Sequence, residues 1–384
     1  MGTPLQLAVA LDGTGWHPAS WREPLARPAE TLTPRYWTDL VSQAERGLLD
    51  FVTIEDGLTL QSDHPFRPDN RTDRLRGRLD AVLIASRVAP RTHHIGVVPT
   101  VITTYTEPFH ASKAIATLDY VSTGRAGVRV QVASRRDAAA HFGRRRLPED
   151  RAALSAELFD EAGDYVEVLR RLWDSWEDDA EIRDLATGRF IDRNKLHYID
   201  FQGASFSVKG PSITPRPPQG QPIVAALGHV DPAYRLIAGS ADVGFVTPHS
   251  VDEVTALVET IGSLQPARDP QVFADLVVFL DDTLDAARAR RERLDALAGT
   301  EYRSDAEIFM GTPGQLADLL EAWHTAEAAG FRLRPASLPH DLQQITDVLV
   351  PDLQRRGLFR QSYEASTLRG LLGLPRPTNR YTTV

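Results

Sequence analysis

The chain contains no cysteine. Disulfides, thiolate metal sites and cysteine nucleophiles are therefore excluded. Long apolar runs are also missing: no stretch approaches the eighteen or so consecutive apolar residues that a membrane helix needs. The opening "MGTPLQLAVALDG" has no basic n-region and too short an apolar stretch for a signal peptide, so it reads as a first strand. Positive charge is in deficit, with 43 Lys and Arg against 52 Asp and Glu and a net charge of −9. That balance offers nucleic acid no basic face. There is no HExxH, no His-x-His, no GxSxG elbow and no low-complexity tract. The expectation is a cytoplasmic protein without membrane or nucleic-acid partners.

What is present is 384 residues, 42% hydrophobic and 25% charged, enough for a large core. Candidate strands fall at 5–11, 51–56, 94–102, 126–133, 222–227, 243–247, 272–280 and 331–335. Several are continuous apolar runs, as in parallel strands buried on both faces. Amphipathic helical patterns lie between them. Thr33-Pro34 and Thr312-Pro313-Gly314-Gln315 each put a capping hydroxyl before a proline at the first helical position. Eight strand–helix units without a linker predict an α/β fold, a single (β/α)8 TIM barrel. A doubly wound sheet is the rival, but Asp12-Gly13-Thr14-Gly15-Trp16 lacks its third glycine. The whole of 1–384 is expected to form this barrel. Insertions follow the fourth helix, at about 175–221, and precede the eighth unit, at about 298–311. A C-terminal tail runs over about 358–384.

Barrels of this kind place their chemistry at the C-terminal ends of the strands. The first strand end offers Asp12, Trp16 and His17, and the second Glu55 and Asp56. The third offers Thr103, Thr104 and Tyr105, and the fourth Ser134, Arg135, Arg136 and later His141. Gly228 and His229 follow the fifth, and Thr247 and His249 the sixth. Aromatics, hydroxyls and arginines mixed in this way suit a planar polar ligand with an anionic tail. A metal site is not expected, because His93-His94 sits at the wrong end of its strand. Glycoside hydrolysis needs two facing carboxylates, and Glu55 and Asp56 are adjacent and so point to opposite faces. Ser134 has no evident His and Asp partners. A bound organic cofactor accounts for the set better than any of these.

At these residues the sequence resembles the bacterial luciferase-like flavin-dependent monooxygenases, in the branch of the nitrilotriacetate and dibenzothiophene-sulfone monooxygenases and the pristinamycin oxidase. The similarity runs nearly end to end. It is carried by "GWHPASWREP", "AERGLLDFVTIEDGL", "TTYTEPFHASKAIATLDYVSTGRAG", "HFG", "LRRLWDSW", "HYIDFQGASFSVKGPSITPRPPQGQP" and "GTPGQLADLLEAWHTAEAAGFRLRP". The resemblance implies a two-component monooxygenase that uses reduced FMN and O2 on a small-molecule substrate. A separate NAD(P)H:flavin reductase would supply the flavin, and a homo-oligomer is usual. A deazaflavin-dependent oxidoreductase or a non-catalytic flavin-binding barrel is the alternative on the same fold, and a barrel hydrolase comes third.

The resemblance also assigns residues. Asp56 stands beside the flavin ring, with Glu55 turned outward or into the barrel wall. Thr103 or Thr104 is the flavin-contacting hydroxyl, and His17 is the mouth residue nearest the chemistry. Four departures stand out: Arg129 where an amide is usual, Val132 where a threonine is, Phe159 for a tyrosine and Val230 for a phosphate-binding serine. They imply that the phosphate is held instead by Arg135 or Arg136 with His229, with Ser134 and Gly228 as the other candidates, and that oxidised FMN binds weakly; His141 is a further expected cofactor contact.

Overall fold

Eight parallel strands close on themselves in the computed structural model, which describes residues 4–64 and 66–382. In chain order the strands are β1 Gln6–Leu11, β2 Phe51–Ile54, β3 Gly96–Ile102 and β4 Gly127–Gln131. Then come the short β5 Glu181–Asp184, β6 Arg189–Ile191, β7 Phe201–Gln202 and β8 Ser207–Val208. Last are β9 Ile223–Gly228, β10 Val243–Val246, β11 Gln271–Leu280, β12 Glu307–Gly311 and β13 Gly330–Pro335. The barrel runs β1-β2-β3-β4-β9-β10-β11-β13 and returns to β1, with Val9 opposite Val52 on one side and opposite Leu333 on the other. All eight expected strands are present, and the fold is the expected (β/α)8 barrel.

The helices follow from local signals. Helix α1, Pro34–Arg46, starts where the Thr33 hydroxyl accepts from Tyr36 N–H, and buries Tyr36, Trp37, Leu40, Val41 and Ala44. Helix α9, Pro313–Thr325, carries the full capping box between Thr312 and Gln315. The outer cores join α1, α2 (Ala81–Val88) and α9 to the strands on one side, and α3 (Pro108–Val121), α5 (Arg151–Asp174) and α6 (Asp231–Ser240) on the other.

Both expected insertions are there. Residues 175–221 form the hairpins β5–β6 and β7–β8 outside the barrel, where Ile199 and Phe201 pack on Val168 and Leu172 of α5. The stretch before the eighth unit is more ordered than the sequence suggested. It contains β12, which pairs parallel with the upper half of β11, Leu276–Leu280, as a ninth strand outside the ring. The reason it was hidden is physical: "EIFMG" is short and only half-buried, so it has no core-strand signature.

Inside, the barrel is layered. At the N-terminal end Phe51, Phe245 and Phe273 cluster with centroids 5.6–6.2 Å apart. Leu368 and Leu372 of the tail close this end from below. Gly96 is glycine because a Cβ there would meet Leu368 Cδ1 at 2.6 Å. Above the phenylalanines the interior is ionic, and that layer forms the floor of the mouth.

Candidate active site

The floor is built from alternate residues of the strands, since every second side chain points inward. Glu55, Arg129, Asp275, Arg332 and Arg334 are all buried there. Arg129 Nη2 donates to Glu55 Oε2 at 3.0 Å, and Arg332 Nη1 lies 3.5 Å from Glu55 Oε1. Asp275 takes Arg332 Nε at 2.8 Å and Arg334 Nε at 2.9 Å, and Arg334 reaches up to Asp305 at 2.7 Å. Trp16 lies over the Arg334 guanidinium, 4.6 Å from the ring centroid. Burial pulls the Arg129 pKa down to about 10, which leaves it a cation at neutral pH.

Over this floor lies a trough of three adjoining cavities. The first, 850 Å³, sits between the ends of β4 and β9 and the start of α5; it is lined by Arg129, Gln131, Ser134, Arg136, Arg151 and His229 among others. The middle one, 340 Å³, lies under the loop after β2 and shares Gln131, Val132 and Ser134 with the first. The third, 660 Å³, lies against Asp12–Ser20 and 300–303, and shares Gln61, Ser62 and Arg78 with the middle one.

The expected residues distribute unevenly over this trough. Ser134, Arg136 and His229 meet in the first cavity. Arg135 faces the middle one but is engaged by Asp137, with Nε–Oδ1 at 2.9 Å, and by the Leu60 carbonyl. Thr103 and Thr104 are buried behind the wall. The Thr103 hydroxyl donates to the Gln131 carbonyl at 3.3 Å and that of Thr104 accepts from Ala133 N–H at 2.9 Å, so both pin the chain leaving β4. Gly228 ends β9 in a tight spot, where a Cβ would strike Tyr234 and Ile237. His141 is exposed on α4, Arg136–Phe142, and lines none of the three cavities.

The two acids diverge, as strand alternation requires, with Glu55 in the barrel interior and in none of the three cavities. Glu55 points into the barrel, while Asp56 is turned outward. The Asp56 oxygens accept from Gly57 N–H at 2.7 Å and from Ala81 N–H, the first residue of α2, at 2.9 Å. Asp56 lines the middle cavity, and burial raises its pKa. His17 lines the third cavity but is fully buried. Its Nδ1 accepts from Ala19 N–H at 3.1 Å, so Nε2 carries the proton and donates to Asp295 at 3.1 Å. Burial lowers its pKa and keeps it neutral.

Several residues of the mouth escaped the sequence reading: Arg74 and Arg78 from the loop over 55–80, Arg151 at the start of α5, and the ionic floor itself. The floor did leave a trace, since Asp275 interrupts the apolar run "VFADLVVFL" and Arg332 and Arg334 sit two apart in "FRLRP". No helix among the described residues is long and apolar enough to cross a membrane, and no group of three His, Asp or Glu among them could hold a metal.

Comparison with known proteins bears on the same residues. The family model for luciferase-like monooxygenases matches residues 16–332. N-acetyl-S-(2-succino)cysteine monooxygenase of Bacillus subtilis (strain 168) is 32% identical, over 98% of this chain and 98% of its own. Nitrilotriacetate monooxygenase component A of Aminobacter aminovorans is 31% identical over 98% and 97%. The crystal structure of a long-chain alkane monooxygenase superposes with a TM-score of 0.87 at 24% identity, covering 97% of this chain and 96% of that one, a likeness of fold.

Proposed function

We propose that this chain, which belongs to the luciferase-like monooxygenase family, oxygenates a small organic substrate with O2 and reduced FMN delivered by a separate flavin reductase. The observation that carries the FMN assignment is the donor set of the first cavity. Arg136 and Arg151 both line it, and neither is paired with a carboxylate among the described residues. Ser134 and His229 add a hydroxyl and an imidazole, while Val132, Leu227 and Phe159 supply apolar wall. Two guanidiniums beside an apolar slot fit a phosphate-bearing planar ligand. Of the two expected anchors, Arg135 is held by Asp137, which leaves Arg136, joined here by Arg151. The two-component reading is supported by a relative that is itself named a component A.

Reduced flavin, when bound, supplies the electrons and the O2 chemistry. The chain's own part is to orient it over the ionic floor, with Gln131 at the junction of the two cavities. The loop over 55–80 excludes water from above. Anaerobic titration with reduced FMN and reduced riboflavin tests the reading. FMN is expected to bind about tenfold or more tighter, the worth of one charge-assisted contact, and the Arg136→Ala/Arg151→Ala double variant to lose that preference. Equal binding of the two flavins overturns the phosphate site. Binding of a reduced deazaflavin without O2 uptake makes the protein a hydride-transfer enzyme instead.

A further inference from the structure

Arg74 is a buried cation of the mouth for which the flavin reading has no task. It comes from the loop over 55–80, its side chain is 5% exposed, and it lines the third cavity with Trp16, His17, Tyr302 and Arg303. None of its three guanidinium nitrogens makes a hydrogen bond among the described residues. Its counter-charge is Asp63, with Oδ2 2.8 Å from Nη2, an ion-pair contact outside hydrogen-bond geometry. The neighbouring Arg76 and Arg78 are instead tied to Asp69 and Asp12.

A buried guanidinium whose one counter-charge lies outside hydrogen-bond geometry is under-satisfied, and it presents a planar fork of N–H donors that a carboxylate matches with both oxygens. Two further carboxylates of the lining, Asp12 and Glu301, are taken up by Arg78 and Arg291, so they leave the Arg74 fork to a guest. Trp16 and Tyr302 give it flat walls, exposed Arg303 adds a second positive charge, and neutral His17 is committed to Asp295 and Ala19. We propose that this cavity is the substrate pocket and that Arg74 anchors a carboxylate, so that the enzyme acts on small carboxylic acids. The assignment rests on the reading above, in which the flavin phosphate lies at Arg136 and Arg151, across the middle cavity from Arg74.

The test is titration of the full-length protein with succinate, followed by tryptophan fluorescence because Trp16 lines the pocket, with uncharged succinamide as control. Succinate is expected to give a saturable response and succinamide none. Arg74→Gln should weaken succinate by about tenfold or more, and Arg74→Lys should recover part of the loss because the charge stays and the fork does not. Asp63→Asn removes the competing anion and should tighten succinate, which decides the matter even if Arg74→Gln fails to fold. Absence of a succinate response in the wild type, unchanged affinity in Arg74→Gln, or weaker binding in Asp63→Asn overturns the assignment. Titration with reduced FMN separates the two readings. Succinate binding through Arg74 without any flavin binding leaves the pocket standing and removes the monooxygenase reading. Loss of FMN binding in Arg74→Gln gives the cavity to the flavin and removes the pocket.

Discussion

Glu55 and Asp56 are chain neighbours that belong to different parts of the molecule, one to the ionic floor and one to the start of α2. Their substitutions should therefore differ in kind. Glu55→Gln leaves Arg129 buried without a carboxylate, a loss of about 3–5 kcal/mol, whereas Asp56→Ala frees two backbone N–H groups for about 1–3 kcal/mol. Urea unfolding of the two variants checks this order, and a larger loss for Asp56→Ala would contradict it. His17 makes a prediction about pH. Burial lowers its folded pKa, so the unfolded chain takes up the proton first, near pH 6.5. Its contribution to stability is thus complete above that pH and is lost as pH falls below it. His340 has the opposite sign, because its bond to Asp281 raises its pKa and its contribution fades as pH rises. The clean measurement is the difference between wild type and His17→Gln in urea unfolding from about pH 7.5 to 5.5. That difference should shrink toward acid.

At the scale of elements, the turn after β1 is fixed from the far end of the chain. Trp16 N–H donates to the Pro335 carbonyl at 2.9 Å and His17 N–H to that of Ala336 at 3.0 Å. Gly15 permits this approach: its φ is +127°, and a Cβ would lie 2.4 Å from the Ala336 carbonyl oxygen, which is backbone and cannot swing aside. Gly15→Ala should cost well over about 1 kcal/mol and perturb the aromatic circular dichroism that Trp16 contributes. Retained stability and an unchanged near-ultraviolet spectrum would refute this. Elements like these also show what a sequence reveals. Thr33-Pro34 and the Thr312–Gln315 box were legible because a cap is local, and the eight core strands because burial on both faces leaves only apolar residues. Strand alternation required Glu55 and Asp56 to diverge but did not decide which faces inward, since Phe51-Val52-Thr53-Ile54 carries no charge on either side. The one hint was Thr53, the inward-facing polar residue in register with Glu55. The loop over 55–80 has no periodicity, so Arg74 and Arg78 could not be placed at the mouth from spacing. The partnership of His17 with Asp295 spans most of the chain and leaves no local mark.

For the whole molecule, the decisive feature is that the tail is part of the barrel's interior. Leu368 is fully buried among Ala8, Phe51 and Val98, and Arg369 binds Asp242 at 2.9 Å and the Gln221 carbonyl. Leu368→Ala should cost about 2–5 kcal/mol, and removal of residues 358–384 should abolish a single cooperative unfolding transition; calorimetry reads both. A truncated chain that still melts as one unit would show the tail to be dispensable. The same arrangement sets an order on biosynthesis. β1 is made long before β13, one of its two neighbours in the ring, and the layer beneath it is made later still. Between the synthesis of β1 and that of β13, on the order of tens of seconds at typical elongation rates, the nascent sheet keeps an open edge and an uncovered floor. A chain that stopped before β13 would lack ring closure, and one that stopped between β13 and Leu368 would close over an uncovered floor; either would meet the cell's chaperones and proteases as an unfinished fold.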